Sequence, residues 1–534
     1  MSPRRWKLPL LIAIGALAFG FSAWRVAQPR LADHAEGVTV LRFSHWQLEP
    51  GVREAFDRLS RAYEALHPGV RIEQIAIPGR LYRQWTSSQL IGGDAPDLVQ
   101  IGLGIGREHY SYFQPITAEI NQPNPYNAGT ALAGVPWRNA FLDGMRAGLD
   151  LETREYYGAS LFNARVRFYC NLDLIKAATG SETLPRNYAE LVALCAKVED
   201  YARRTGEKIE PIAGSAYAAT IMLGDLFNTQ TQRLTTRLGV ATGLPPTIEE
   251  LYLARLQGRW SLQDPAIRSA ARLMQEASRL LTPGFEQIEN DQTIFRFAQG
   301  RAALYLGYSL MATSIFEQCP FRIGIMRNPL PDPNDPNYGE HMIARSAETS
   351  MNSYGAFGIT RTSRHPELAL DFMRFLTSRA SCVTFTSVSQ NLPTLVGVEP
   401  PESMRGFSSD TTGYPPTPGF FSWGEVRAAM LNHQHTLFAP EGSVDQYLRK
   451  LEPDLVAAMR TDLSRGAINR LESVRRTDLS LAAGQEILTR HPDDAILARK
   501  FDGQQETQNE MEANAYYTQL VLDRTGATAE VFQP

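Results

Sequence analysis

Trp46, Tyr308 and Trp423 stand where aromatic rings can do binding chemistry. Trp46, with His45 beside it, follows the β-rich run Val38–Phe43, and Tyr308 follows the apolar run Ala302–Leu306. Trp423 lies in the loop P-P-T-P-G-F-F-S-W-G together with Phe420 and Phe421. Tyr354 and Phe357 belong to a further β-rich stretch around Gly355–Ile359. An aromatic face stacks on the apolar C–H face of a ring-shaped ligand, while planar Asn, Asp, Gln and Arg side chains satisfy its hydroxyls. Three aromatics in one Pro/Gly-rich loop are hard to bury, which favours a ligand or lobe-closing contact for Trp423. Each residue also has a plainer alternative. Trp46 would cap a core, His45 would be a polar core or turn residue, and Tyr354 or Phe357 would be packing.

Other chemistries find no motif. Gly102-x-Gly104-x-Gly106 is neither G-x-G-x-x-G nor a phosphate loop, because no Gly-Lys-Ser/Thr follows. Backbone around Gly102–Gly104 is instead expected to line a ligand cleft. The histidines are scattered, with His433-x-His435 the one close pair, and there is no H-E-x-x-H or Cys/His quartet. No G-x-S-x-G occurs, and no carboxylate pair stands out as a hydrolytic dyad. No catalytic residue, metal or cofactor is therefore expected. A net charge of −4, from 53 basic and 57 acidic side chains, gives no footprint for nucleic acid. Cys170, Cys195, Cys319 and Cys382 lie far apart without a C-x-x-C, so buried free thiols are expected, with one disulfide open to an exported chain.

The elements that position these residues can be read from period and punctuation. In Ile91–Gly106 (I-G-G-D-A-P-D-L-V-Q-I-G-L-G-I-G) a glycine pair and Pro96 end a helix. Leu98–Ile101 then reads as a buried strand with a glycine-rich exit. Upstream, Val52–Leu66 has helical spacing, Val70–Ile77 alternates as a strand, and Leu81–Leu90 is a second helix. The order β-α-β-α-β implies a parallel sheet, whose carboxyl edge is where open α/β folds bind ligands. Asp94 and Asp97 are expected to hold the turn before the last strand and not to touch ligand. A length of 534 residues suggests two globular domains. At the N-terminus, Arg4, Arg5 and Lys7 precede the apolar run Leu8–Trp24, so residues 1–30 are expected to be a signal sequence or signal anchor.

The motifs, in order, carry a resemblance. "VTVLRFSHW", "FDRLSRAYEALHPGVRIEQIAIPG" and "LIGGDAPDLVQIG" resemble the amino-terminal lobe of the family 1 extracellular solute-binding proteins, the maltose-binding-protein-like receptors of ABC importers. Phe168–Asp173 resembles the family's "Y-Y-N-x-D", and Leu184–Leu191 its "P-x-T-W-x-E-L". Phe297–Leu304 resembles "F-x-x-G-x-A-A-M", and Pro366–Leu376 resembles "E-A-A-x-x-F-x-x-F-L". Tyr157-Gly158-Ala159-Ser160 lacks the proline of the family's "Y-G-[VI]-P".

The resemblance implies a two-lobe α/β fold with a ligand cleft between hinged lobes. Lobe one would hold 38–145 and 290–343, lobe two 146–289 and 344–470, and 471–534 would be a helical extension. It implies a monomeric receptor in the periplasm or at the cell exterior, which captures a carbohydrate and delivers it to an ABC-type permease. It places ligand contacts at Tyr308, where the family sets an aromatic over the sugar, and at Gln84, Asn163 and Arg165. Two alternatives remain open at this level. One is a non-sugar solute such as a polyol phosphate, held by Arg80, Arg83 and Arg165. The other is a tethered carbohydrate-active enzyme or sensor using the same cleft.

Overall fold

The computed structural model describes residues 38–102, 111–150, 155–239, 246–348, 352–410, 412–414, 419–421 and 424–531. The chain begins with β1 (Thr39–His45), α1 (Pro50–Leu66), β2 (Val70–Ala76), α2 (Gly79–Gly92) and β3 (Leu98–Ile101). In α1, Val52, Ala55, Phe56, Leu59 and Tyr63 recur at helical spacing and all are buried. Pro50 sits in the first turn, where its missing N–H costs no helical bond. α2 stops at Gly93, whose left-handed backbone (φ 74°) suits a residue without Cβ. β1 pairs in parallel with both β2 and β3, as the β-α-β-α-β order requires.

The chain continues through β4 (Ala159–Ala164), β5 (Val166–Asn171), α3 (Tyr188–Thr205), β6 (Glu210–Ala213) and α4 (Ala216–Gln230). Next come α5 (Pro265–Ser278), β7 (Ala302–Tyr308), β8 (Ile323–Met326), β9 (Asn352–Ile359), α6 (Pro366–Leu376) and β10 (Leu392–Pro393). It closes with α7 (Gly424–His433), α8 (Val444–Arg490) and α9 (Ala495–Val531). Two main sheets result, a six-stranded one ordered β10-β4-β9-β3-β1-β2 and a four-stranded one ordered β8-β5-β7-β6.

Each sheet anchors one compact unit. Unit one holds the described residues through Asp150, Glu155–Asn163 and Ser353–Pro401; unit two holds Ala164–Asn352 and the chain from Glu402 onward. This corrects the expected boundaries for three segments. Residues 146–150 and 155–163 belong to unit one, because β4 joins the six-stranded sheet. Residues 290–343 belong to unit two, because β7 pairs antiparallel with β5 and parallel with β6. Residues 353–401 belong to unit one, because β9 runs antiparallel beside β3 and β10 beside β4. Asp97 supports that insertion: its carboxylate accepts the Arg42 backbone N–H (2.9 Å) and the Ser363 hydroxyl (2.6 Å). The side chain thus ties β3 to β1 and to the turn after β9, the structural part expected of it. Asp94 is exposed in the turn before β3.

The C-terminal helices pack onto unit two. α8 and α9 are joined by a short turn at His491–Asp494 and lie side by side. Arg470 of α8 pairs with Glu249, and Arg460 donates to the Leu522 carbonyl of α9 (3.2 Å). All four cysteines are free thiols, and Cys170, Cys195 and Cys382 are buried. Among the described residues no helix is long and apolar enough to cross a membrane. The predicted signal or anchor at 1–30 lies outside the described residues.

Unit two also contains a clamp at its edge. The Arg167 side chain is only 2% exposed, and its guanidinium grips Glu348 through two bonds of 2.7 and 2.8 Å while also donating to the Ser408 carbonyl (2.9 Å). Glu348 accepts the Asp410 N–H (3.0 Å), and Arg327 donates to the Asp410 carboxylate (2.7 Å). Burial pushes the Glu348 carboxyl up, but the charge of Arg167 and its hydrogen bonds outweigh this and hold it below the usual range. Removing one partner strands the other charge in the interior, so Glu348→Ala should destabilise the protein by about 3–5 kcal/mol in denaturant titrations. The contribution of Glu348 is present above the ordinary carboxylate pKa and lost as pH falls through its lower folded value. The gap between wild type and variant should therefore narrow in acid; a gap constant down to pH 2 would contradict this role.

Candidate functional site

Each unit presents an aromatic at the carboxyl edge of its sheet. In unit one the ends of β1 and β3 bring Trp46 and Gly102 together. Trp46 is half-buried; its backbone N–H donates to the Gln100 side chain (3.2 Å), and its ring meets Tyr82 edge-on, centroids 5.0 Å apart. Gly102 adopts φ +117°, and a Cβ there would lie 3.1 Å from the Trp46 ring. The positive φ favours glycine, and a Cβ would also press the Trp46 ring aside by a few tenths of an ångström. Tyr82 is buried beneath, its hydroxyl donating to the Gln100 carbonyl (2.9 Å), so the ring beneath Trp46 is fixed. The plainer reading of Trp46 is thus half right: one side packs and the other remains open.

In unit two the same edge is built from β5, β6 and β7. Tyr308 ends β7 opposite Val166 at the start of β5, and its carbonyl accepts the Tyr169 hydroxyl (2.8 Å). After β6, Ser215 caps α4 by accepting the Ala218 N–H (3.1 Å), which sets Tyr217 in the first helical turn. The Tyr217 and Tyr308 rings meet at 5.7 Å, inclined by 43°. They line a depression of 710 Å³ with Thr220, Gln287, Arg427 and Gln434 along its walls. Two partly open rings beside amide, guanidinium and hydroxyl groups can stack on an apolar ring face and hydrogen-bond to hydroxyls around it. Among the described residues no group of three or more His, Cys, Asp or Glu side chains could hold a metal ion.

Residues 59–412 match the family model of the bacterial extracellular solute-binding proteins. The chain belongs to that family. Solved structures agree on the fold of this solute-binding protein. It superposes on a chitin oligosaccharide binding protein (13% identity, TM-score 0.54, 79% of this chain and 99% of that one). Similar agreement holds for maltose-bound MalE3 from T. maritima (14%, 0.53, 78% and 98%). It also holds for the cyclic alpha-maltosyl-1,6-maltose binding protein from Arthrobacter globiformis (14%, 0.55, 79% and 99%). None of the curated proteins searched matches the chain. The family is one of binding proteins that work outside the cytoplasm, and its two-lobe fold is the one described above.

The predicted site residues of this solute-binding protein divide sharply. Trp46 and Tyr308 stand at sheet edges and remain partly open. His45 does not: it is fully buried, 4.8 Å from Phe56 and stacked on Phe43, and its Nε2 and Nδ1 are bonded to Gln74 (2.8 Å) and the Gln47 N–H (3.2 Å). It is a core histidine. Phe357 is likewise core, edge-on to Phe43 in unit one, and Tyr354 precedes it in β9 of the same unit's sheet, not in a lobe-two strand. Asn163 is buried and donates to the Pro393 carbonyl (2.8 Å), holding β10 to β4. Arg165 is also buried; its Nε donates to Ser409 (2.7 Å) while its backbone is laced to Ser309 (2.7 and 3.1 Å). It braces the Tyr308–Ser309 corner from behind.

Gln84 is exposed on α2, as are Arg80 and Arg83 at its start, whereas Arg165 belongs to the other unit. Gly104 and Trp423 lie outside the described residues. Phe420 and Phe421, expected to be hard to bury, are buried against Trp260 (4.9 Å) and Phe227 (5.3 Å). Tyr217 and Arg427 were not anticipated. Tyr217 had a signal, since Glu210–Ala213 followed by Gly214-Ser215-Ala216-Tyr217 repeats the pattern of a strand leading to an aromatic that marked Trp46 and Tyr308.

Burial of His45 has a consequence for pH. Desolvation, outweighing the Gln74 hydrogen bond, lowers its pKa to about 4. The unfolded imidazole takes up its proton near pH 6.5 and the folded one resists until about 4, so stability is full above 6.5 and falls between those values. The loss should approach about 3 kcal/mol. Denaturant midpoints measured from pH 7 to 4 should show that slope in wild type and lose it in His45→Gln. An identical slope in both would remove His45 from the account.

Proposed function

We propose that this protein is an extracytoplasmic receptor that captures a carbohydrate by hinge closure and delivers it to an ABC-type permease. The observation that carries the reading is the Tyr217–Tyr308 pair, set over a depression walled by Gln287, Arg427 and Gln434. The two rings contact each other at 5.7 Å, inclined by 43°, and each stays partly open to offer a face for stacking, while the walls offer donors and acceptors for hydroxyls. Trp46 supplies the corresponding platform on lobe one. A ligand touching both lobes stabilises the closed arrangement by its differential affinity for it. The similar structures include raffinose, maltose and chitin oligosaccharide binding proteins, which favours the same class. The receptor acts as a monomer without a cofactor, and the segment 1–30 exports or tethers it.

A thermal-shift screen against oligosaccharides, polyol phosphates and amino acids tests this. At a hundredfold excess over Kd an oligosaccharide should stabilise the fold by about 2.7 kcal/mol. Stabilisation by a polyol phosphate or amino acid alone would refute the carbohydrate reading. Chromatographic recovery of the sugar unchanged separates binding from turnover. Tyr308→Ala and Tyr217→Ala should each weaken the binding about tenfold, from lost stacking and burial, while the unliganded melting temperature stays within a few degrees. Equal loss of melting temperature and affinity would return these rings to a packing role.

A further inference from the structure

A second depression of 240 Å³ adjoins the first on unit two, between α4 and α7. The two share Ala219, Thr220, Leu223, Arg427 and Gln434 as common wall, so the second continues from the first along α4. Its character differs. The floor is Leu223, Phe227, Met274 and Phe421, all buried core residues, with Met430 on the α7 side and polar Asn228 at the rim. At Gly224, in the middle of α4, an added Cβ would meet no atom within 4 Å. A glycine inside a helix costs about 1 kcal/mol relative to alanine. Here its missing side chain widens the opening onto that apolar floor.

We propose that this groove binds an apolar substituent on the ligand, so that the receptor takes glycosides bearing an aryl or short alkyl group, the sugar lying over Tyr217 and Tyr308. The inference rests on the carbohydrate reading. Three observations select this occupant. The groove opens from the sugar-stacking depression and shares its wall, so a group attached to the bound sugar reaches it directly. Its floor is hydrocarbon and aromatic, which favours an apolar group over a further sugar residue, whose hydroxyls would find few partners there. Its volume exceeds the roughly 150 Å³ of an apolar cavity that accommodates benzene, leaving room for a substituted ring.

The test is calorimetric titration of the full chain with matched methyl and p-nitrophenyl glycosides of glucose, galactose, xylose and N-acetylglucosamine. For the sugar accepted, the nitrophenyl glycoside should bind at least tenfold tighter than the methyl glycoside, the gain expected from burying an aromatic ring. Gly224→Leu places a side chain in the open space of the groove. It should abolish that advantage while methyl-glycoside affinity stays within twofold of wild type. Gly224→Ala fills less of the space and should remove part of it, which keeps the comparison available if leucine disturbs the helix. Sugar binding with no aryl preference, or equal weakening of both glycosides by Gly224→Leu, would overturn the groove proposal alone. Absence of binding by every glycoside would overturn the groove proposal, and only if oligosaccharides also fail to bind would it overturn the carbohydrate reading with it.

Discussion

The buried pair of Arg167 with Glu348 is the interaction on which the arrangement of unit two's edge depends. The chain leaves unit one at Asn163–Ala164, returns to it at Asn352–Ser353, and leaves again at Pro401–Glu402. Arg167 lies just after the first crossing, Glu348 just before the second, and Ser408 and Asp410 soon after the third. One guanidinium, one carboxylate and the backbone around Asp410 therefore fasten the unit-two ends of all three segments to each other. A hydrophobic contact could hold them together but would not fix their register. A bidentate fork does, because both N–H groups must meet both oxygens at once. Two lobes that must move about their connecting segments need those segments to leave from a rigid base.

The aromatic platforms depend on that base. Arg165, two residues before Arg167, braces the Tyr308–Ser309 corner through main-chain bonds to Ser309, and Val166 pairs with Tyr308 itself. Tyr217 reaches the same depression from the first turn of α4, fixed by the Ser215 cap. On unit one the corresponding support is Gln100 and Tyr82 under Trp46. Both platforms are thus partly open rings over buried, hydrogen-bonded groups. This suits a receptor that must strip water from a polar ligand without rearranging its own site.

Much of unit one was legible in the sequence. The helical spacing in α1, the glycine stop at Gly93 and the apolar run Leu98–Ile101 gave three strands and two helices nearly at their observed bounds. These are local signals. The lobe assignment of β7 and β9 was not legible, since a short apolar strand reads the same whichever sheet it joins, and antiparallel insertion beside β3 is a non-local pairing. Individual side chains divided along the same line. Tyr308 could be found because it follows a strand, whereas His45 follows one too and turns inward, a choice made by Phe56 and Gln74 from other elements. Arg427 reaches the depression from α7, distant in sequence, and nothing local marks it.

We propose that a carbohydrate held on these platforms brings the lobes together. Small-angle X-ray scattering of the full chain, with and without the oligosaccharide that stabilises it most, tests this directly. The radius of gyration should fall on adding the sugar, and the fall should need a higher sugar concentration when Tyr308 is replaced by alanine. A saturating sugar that leaves the radius of gyration unchanged would contradict it.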